Sequence, residues 1–157
     1  MKQDKKDVAG VEKVGGRALV LEARFYGDIA DGLYEGARRV LEEAGMTVDR
    51  RDVPGALEIP AALQFAALSG QYDAFVCTGC VIRGETYHFE VVCNESARGI
   101  SDVALDLNLC VGNGILTVDT LAQAQERADP DNMDKGGGAA RAAVKMLALK
   151  KEWMPSK

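Results

Sequence analysis

The stretch Arg17-Ala18-Leu19-Val20-Leu21-Glu22-Ala23 decides the fold class. A short, nearly continuous apolar run of this length belongs in the middle of a parallel sheet, where helices cover both faces. Beyond it the period changes. Ile29, Leu33, Ala37, Val40, Leu41 and Ala44 recur at the spacing of one helix face, with Asp28 near the start and Gly45 just past the end. Strand then helix is the first unit, and the chain repeats it. Residues 47–52 read as a second strand that stops at Pro54-Gly55, and residues 58–68 as a helix that ends at Gly70. Residues 72–80 give a third strand, after which Phe89, Val92, Ser96, Val103 and Leu107 mark a long amphipathic helix. A fourth strand over 108–116 precedes helices at 120–128 and 139–150. Strands separated by helices call for right-handed βαβ crossovers, so the expected fold is α/β, a three-layer α/β/α sandwich around a central parallel sheet.

A chain of 157 residues that is 47% hydrophobic suits one domain, able to bury roughly 70% of its unfolded surface without a metal or disulfide staple. The first dozen residues are charged and aperiodic, which predicts a flexible N-terminal arm over 1–15 and a single domain over 16–157. The net charge is −5 and the 19 basic residues are scattered, whereas a nucleic-acid binder gathers them on one face to displace counterions. Any anionic ligand must therefore be held by a local device. No run approaches the roughly 18 apolar residues of a membrane span, and the N-terminus lacks the apolar core of a signal peptide, so a cytoplasmic location is expected. The cysteines of C-T-G-C, Cys77 and Cys80, sit in and after an apolar run rather than at a helix start. Together with Cys93 and Cys110 they read as small buried hydrophobes in a reducing compartment.

Ligands of such sheets lie beyond the carboxyl ends of the strands, which selects the loops to read. In Val81-Ile82-Arg83-Gly84-Glu85-Thr86-Tyr87-His88-Phe89, a strand gives way to a helix. Gly84 permits a close turn, Thr86 is placed to cap the helix, and the first-turn N–H groups make either an anion pocket or an ordinary capped turn. His88, the only histidine, is either a proton carrier or a surface residue at a helix start. One histidine speaks against a zinc hydrolase. Arg127 reads as a charged fork for phosphate or as a solvated surface charge. Lys135 has the same two readings, and Gly136-Gly137-Gly138 behind it reads as a flexible lead-in to the last helix. Glu58 could accept hydrogen bonds from ligand hydroxyls or complement a helix dipole, and Phe25 is a stacking platform or a lid on the core.

These residues coincide with a family pattern. Over residues 16–150 the chain resembles 6,7-dimethyl-8-ribityllumazine synthase, through A-R-F at Ala23, V-P-G-A-L-E-I-P at Val53, V-I-R-G-E-T-Y-H-F at Val81, G-I-L-T at Gly114, Q-A-Q-E-R-A at Gln123 and D-K-G-G at Asp134. The resemblance implies a flavodoxin-like fold, assembly into homo-oligomers built on pentamers with active sites between subunits, and no metal or organic cofactor. It implies a condensation of 5-amino-6-(D-ribitylamino)uracil with 3,4-dihydroxy-2-butanone 4-phosphate that releases phosphate and water. By motif position, Phe25 stacks on the pyrimidine, Ala56, Leu57 and Glu58 hold the ring and ribityl chain, and Cys80, Val81 and Ile82 line the other side. Glu85 and Thr86 receive the phosphate through main-chain N–H groups, Arg127 from the adjacent subunit closes the charge, and His88 moves protons.

The chain departs from the family pattern at Tyr26, where Asn is common, at Tyr87, where Pro is usual, and at Asn113, a position often aromatic. Asn113 replaces a second apolar wall over the pyrimidine with an amide. From another class, the rival reading is a shell protein that holds riboflavin or lumazine without catalysis. A flavodoxin-type electron carrier is a third reading, but A-R-F-Y-G-D lacks the hydroxyl-rich phosphate loop it would need after the first strand.

Overall fold

The computed structural model describes residues 10–156. The order of elements is β1 (Arg17–Ala23), α1 (Gly27–Glu43), β2 (Thr47–Val53), a 3-10 turn at Ala56–Glu58, α2 (Ile59–Leu68), β3 (Ala74–Ile82), α3 (His88–Leu107), β4 (Val111–Val118), α4 (Leu121–Ala128) and α5 (Lys135–Trp153). All strand pairs are parallel, in the order β2-β1-β3-β4. Because β1 is followed outward on one side by β2 and on the other by β3, the chain reverses its winding between β1 and β3. A crevice opens there at the carboxyl ends of the strands. This is the α/β/α sandwich expected of a flavodoxin-like chain.

Alternate side chains of the inner strands feed two separate cores. Ala18, Val20, Ala74 and Val76 face α1 and α5, while Leu19, Leu21, Phe75 and Cys77 face α2 and α3. Leu19, Leu33, Leu41, Ile59, Leu63 and Phe75 are fully buried, each worth roughly 1.5–3 kcal/mol of transfer free energy. A third cluster joins α1 and α4 over the end of β4 through Leu33, Leu116, Val118 and Ala124. Cys77 and Cys80, three apart on β3, fall on opposite faces, so C-T-G-C cannot close on itself.

Four local expectations need correction. β3 runs over 74–82 rather than 72–80, because Tyr72 bonds Asp49 through its hydroxyl and Asp73 N–H donates to Arg17 O before the ladder begins. The fourth strand starts at Val111, not 108. Asn108 adopts the left-handed conformation (φ 53°) that ends α3, and Lys150 Nζ donates to its carbonyl at 2.7 Å. The last helix begins at Lys135 rather than 139, so the glycine run is its first turn and not a flexible lead-in. Packing explains this: a Cβ on Gly136 would stand 2.0 Å from Leu33 O, so only glycine lets α5 lie this close to α1. Finally, Thr86 does not cap α3; the cap residue is Tyr87, without a side-chain hydrogen bond.

Of the expected N-terminal arm, residues 1–9 lie outside the described residues. Residues 10–15 form no helix or strand, yet Val14 and Gly15 donate to Ala44 O, and Val11 and Val14 lie against the α1/α5 core. No helix among the described residues is long and apolar enough to cross a membrane.

Candidate functional site

The crevice at the winding reversal is a cleft of about 430 Å³. Three segments converge on it. The turn after β1 brings Phe25 and Tyr26, and the turn after β2 brings Ala56, Leu57 and Glu58. Across from them, the last residues of β3, Cys80, Val81 and Ile82, run to His88 and Val92 on the first two turns of α3. The shift of β3 to 74–82 matters here, because it adds Val81 and Ile82 to the strand beside Cys80, and the ladder to Leu116, Thr117 and Val118 fixes the main chain of all three.

Phe25 is 76% exposed, with its ring edge-on to Tyr26 at 4.9 Å. It is not a lid on the core, which leaves a flat aromatic face for a ligand. Glu58 is exposed at the end of the 3-10 turn, which a Gly55 O to Glu58 N–H bond closes; Pro60 then enters α2 in its first turn, where its missing N–H costs nothing. Burial pushes the Cys80 thiol up to about 11 and the Cys77 thiol to about 12, so both stay protonated at neutral pH and contribute bulk rather than nucleophilicity.

Glu85 and Thr86 are exposed in the turn whose two ends, Ile82 and His88, both line the cleft. Helix α4 starts differently. Thr120 and Gln123 form a reciprocal capping box there, with Thr120 Oγ1 accepting from Gln123 N–H and Gln123 Oε1 from Asp119 and Thr120 N–H. At α3 the cap residue, Tyr87, makes no side-chain hydrogen bond, which leaves the start of the helix suited to an anion.

Arg83, which has no role legible in the sequence, holds this turn in place. It donates to Asp119 at 2.8 Å and to Glu90 at 2.6 Å, lies over the Phe89 ring at 4.3 Å, and donates its N–H to Val118 O. The guanidinium holds the Glu90 carboxyl below its usual range. With two carboxylates already on it, Arg83 acts as a clamp between β4 and α3. The one local sign is an arginine and a glutamate seven apart across a turn, but Asp119 is 36 residues away and carries none. Val92, four residues beyond His88 and so on the same helix face, is legible from spacing alone.

Asn113, Arg127 and Lys135 are not in the cleft. Asn113 is exposed on β4, its side-chain carbonyl accepting from Ile115 N–H at 3.0 Å. Arg127 folds back on its own helix, donating to Gln123 O at 3.1 Å, and Lys135 opens α5. A single chain therefore brings Phe25, residues 56–58, the end of β3 and His88 together beside the turn 83–87, without these three.

The chain matches a family model described as 6,7-dimethyl-8-ribityllumazine synthase over residues 15–151. It is 56% identical to the 6,7-dimethyl-8-ribityllumazine synthase of Zymomonas mobilis subsp. mobilis over 85% of this chain and 96% of that protein. It is 56% identical to the synthase of Agrobacterium fabrum over 85% and 94% of the two chains, and 53% identical to that of Azorhizobium caulinodans over 91% of each.

Proposed function

The chain belongs to the 6,7-dimethyl-8-ribityllumazine synthase family, and from that premise we propose how its cleft works. The enzyme acts on small molecules. It condenses 5-amino-6-(D-ribitylamino)uracil with 3,4-dihydroxy-2-butanone 4-phosphate to form 6,7-dimethyl-8-ribityllumazine, with loss of phosphate and water, in riboflavin biosynthesis.

Phe25 stacks on the pyrimidine, and Ala56, Leu57 and Glu58 hold the ring and the ribityl chain, with the Glu58 carboxylate accepting from hydroxyls. Cys80, Val81 and Ile82 form the opposite wall. The phosphate rests on the main-chain N–H groups at Glu85 and Thr86. An aromatic amine already attacks a ketone, so holding both substrates in one orientation supplies most of what is needed, several kcal/mol through proximity. The cradle that binds the phosphate also stabilises its departure. His88, on the cleft wall, moves protons during imine formation and phosphate elimination.

The observation that carries this reading is the convergence of Phe25, Glu58, the end of β3 and His88 on one cleft beside an uncapped helix start. Asn113, Arg127 and Lys135 complete a site from a neighbouring copy, in a homo-oligomer built on pentamers. Their absence from the chain's own cleft supports this, as do Phe65, Leu68 and Leu105, apolar side chains 71%, 68% and 77% exposed. A cytoplasmic location fits the chemistry of the substrates. Mixing the two substrates with the protein and following lumazine fluorescence together with released phosphate tests the assignment. Both signals should rise above the uncatalysed background; neither rising would leave a flavin-binding shell.

A further inference from the structure

Glu22 carries a charge where the sheet is dry. Its side chain is 2% exposed and sits on the β1 face shared with Ala18 and Val20, the face buried by α1 and α5. A buried carboxylate is costly unless it is paired. Glu22 Oε1 accepts from Arg24 at 2.9 Å and from Arg50 at 2.8 Å. The same two guanidiniums reach Asp31 on α1 at 2.8 and 2.7 Å, and Arg50 also lies 4.0 Å over the Tyr34 ring. Two acids and two bases thus lash together the end of β1, the middle of β2 and the first turns of α1. The two arginines hold the Asp31 carboxyl below its usual range.

None of the four charged groups lines the cleft, but the residue after Arg24 is Phe25. With its ring 76% exposed and edge-on to Tyr26, Phe25 has no packed pocket to fix its direction. Its orientation is inherited from the backbone on either side: Ala23 is buried and Arg24 is clamped before it, and Tyr26 after it accepts from Ala30 N–H and packs on the α1/α4 cluster. We propose that Glu22 is a positioning residue for the reaction: through Arg24 it fixes the turn that presents Phe25 to the pyrimidine. The proposal rests on the reading of Phe25 as the stacking platform.

Glu22→Gln keeps the shape and removes the charge. Steady-state kinetics with each substrate varied in turn, in the wild-type and Phe25→Ala backgrounds, test the link. Glu22→Gln should raise KM for the pyrimidine by about fivefold, the order of a weakened aromatic contact, with KM for the butanone phosphate and kcat changed by less than about twofold. In the Phe25→Ala background it should add nothing, since residues acting through one another are not additive. An equal effect in both backgrounds, or on both substrates, is what general loosening produces and overturns the proposal. A Phe25→Ala chain with a raised pyrimidine KM beside an unaffected Glu22→Gln chain overturns the proposal alone. An unchanged KM in Phe25→Ala removes the stacking platform and the proposal with it. Should Glu22→Gln fail to fold, Asp31→Asn, at the 58% exposed end of the network, is put to the same measurements with the same outcomes.

Discussion

Gly136 on α5 lies so close to Leu33 on α1 that a Cβ added to it would stand 2.0 Å from the Leu33 carbonyl oxygen, while one added to Gly138, two residues on, would meet nothing within 4 Å. The two positions share a helix turn and a residue type, so they separate close approach from helix propensity. Gly136→Ala should destabilise the protein by about 3 kcal/mol, the upper range for overpacking. Gly138→Ala should stabilise it by up to about 1 kcal/mol through lower backbone entropy in the unfolded chain. Denaturant midpoints of the two variants check this, and equal shifts would contradict it.

On the proposed reading, His88 assists a reaction that proximity already favours. His88→Ala should lower kcat by no more than about 10²-fold, the low end for acid–base catalysis. A kcat equal to that of wild type would remove His88 from the mechanism.

If Arg127 serves the neighbouring copy's phosphate, the defects of Arg127→Ala and Phe25→Ala lie on opposite sides of each interface. Refolding the two variants together should give more activity than either alone, since hybrid assemblies rebuild some sites from two intact halves. No gain on mixing would place Arg127 outside the shared site.

Glu35 on α1 accepts from Arg38 at 2.7 Å and from Arg39 at 3.0 Å, and these bonds hold its carboxyl at about 2, down from 4.5. A carboxylate held low stabilises the fold fully above its unfolded value and loses that contribution as pH falls through about 2. At 36% exposure the contribution is screened to about 0.5 kcal/mol. Arg38→Gln should therefore melt slightly below wild type at about pH 6, and the gap should close towards about pH 2. A gap independent of pH would show that Arg38 acts through packing instead.

How far the fold can be read depends on where the information sits. β1 reads correctly to its ends because an apolar run between Gly16 and Arg24 has no other use, and helix α1 is carried by a single apolar stripe. The last helix reads too short because three glycines signal a break locally, and only the approach of Leu33, a hundred residues away, makes them the right choice. The cleft is legible because one topological rule nominates the loops at the ends of β1, β2 and β3. The Arg83 clamp is not, since Asp119 meets it only after β3 and β4 pair. Asn113, Arg127 and Lys135 belong to no feature of one chain's own cleft, so motif position alone carries them.

The charges of Glu22, Arg24, Asp31 and Arg50 sum to zero, and they are held within one contact of each other. Only Glu22, at 2% exposure, is out of water, and it keeps one guanidinium when either Arg24 or Arg50 is changed. Drift at these four sites should accordingly be uneven, with Asp31, 58% exposed, free to vary first and Glu22 last.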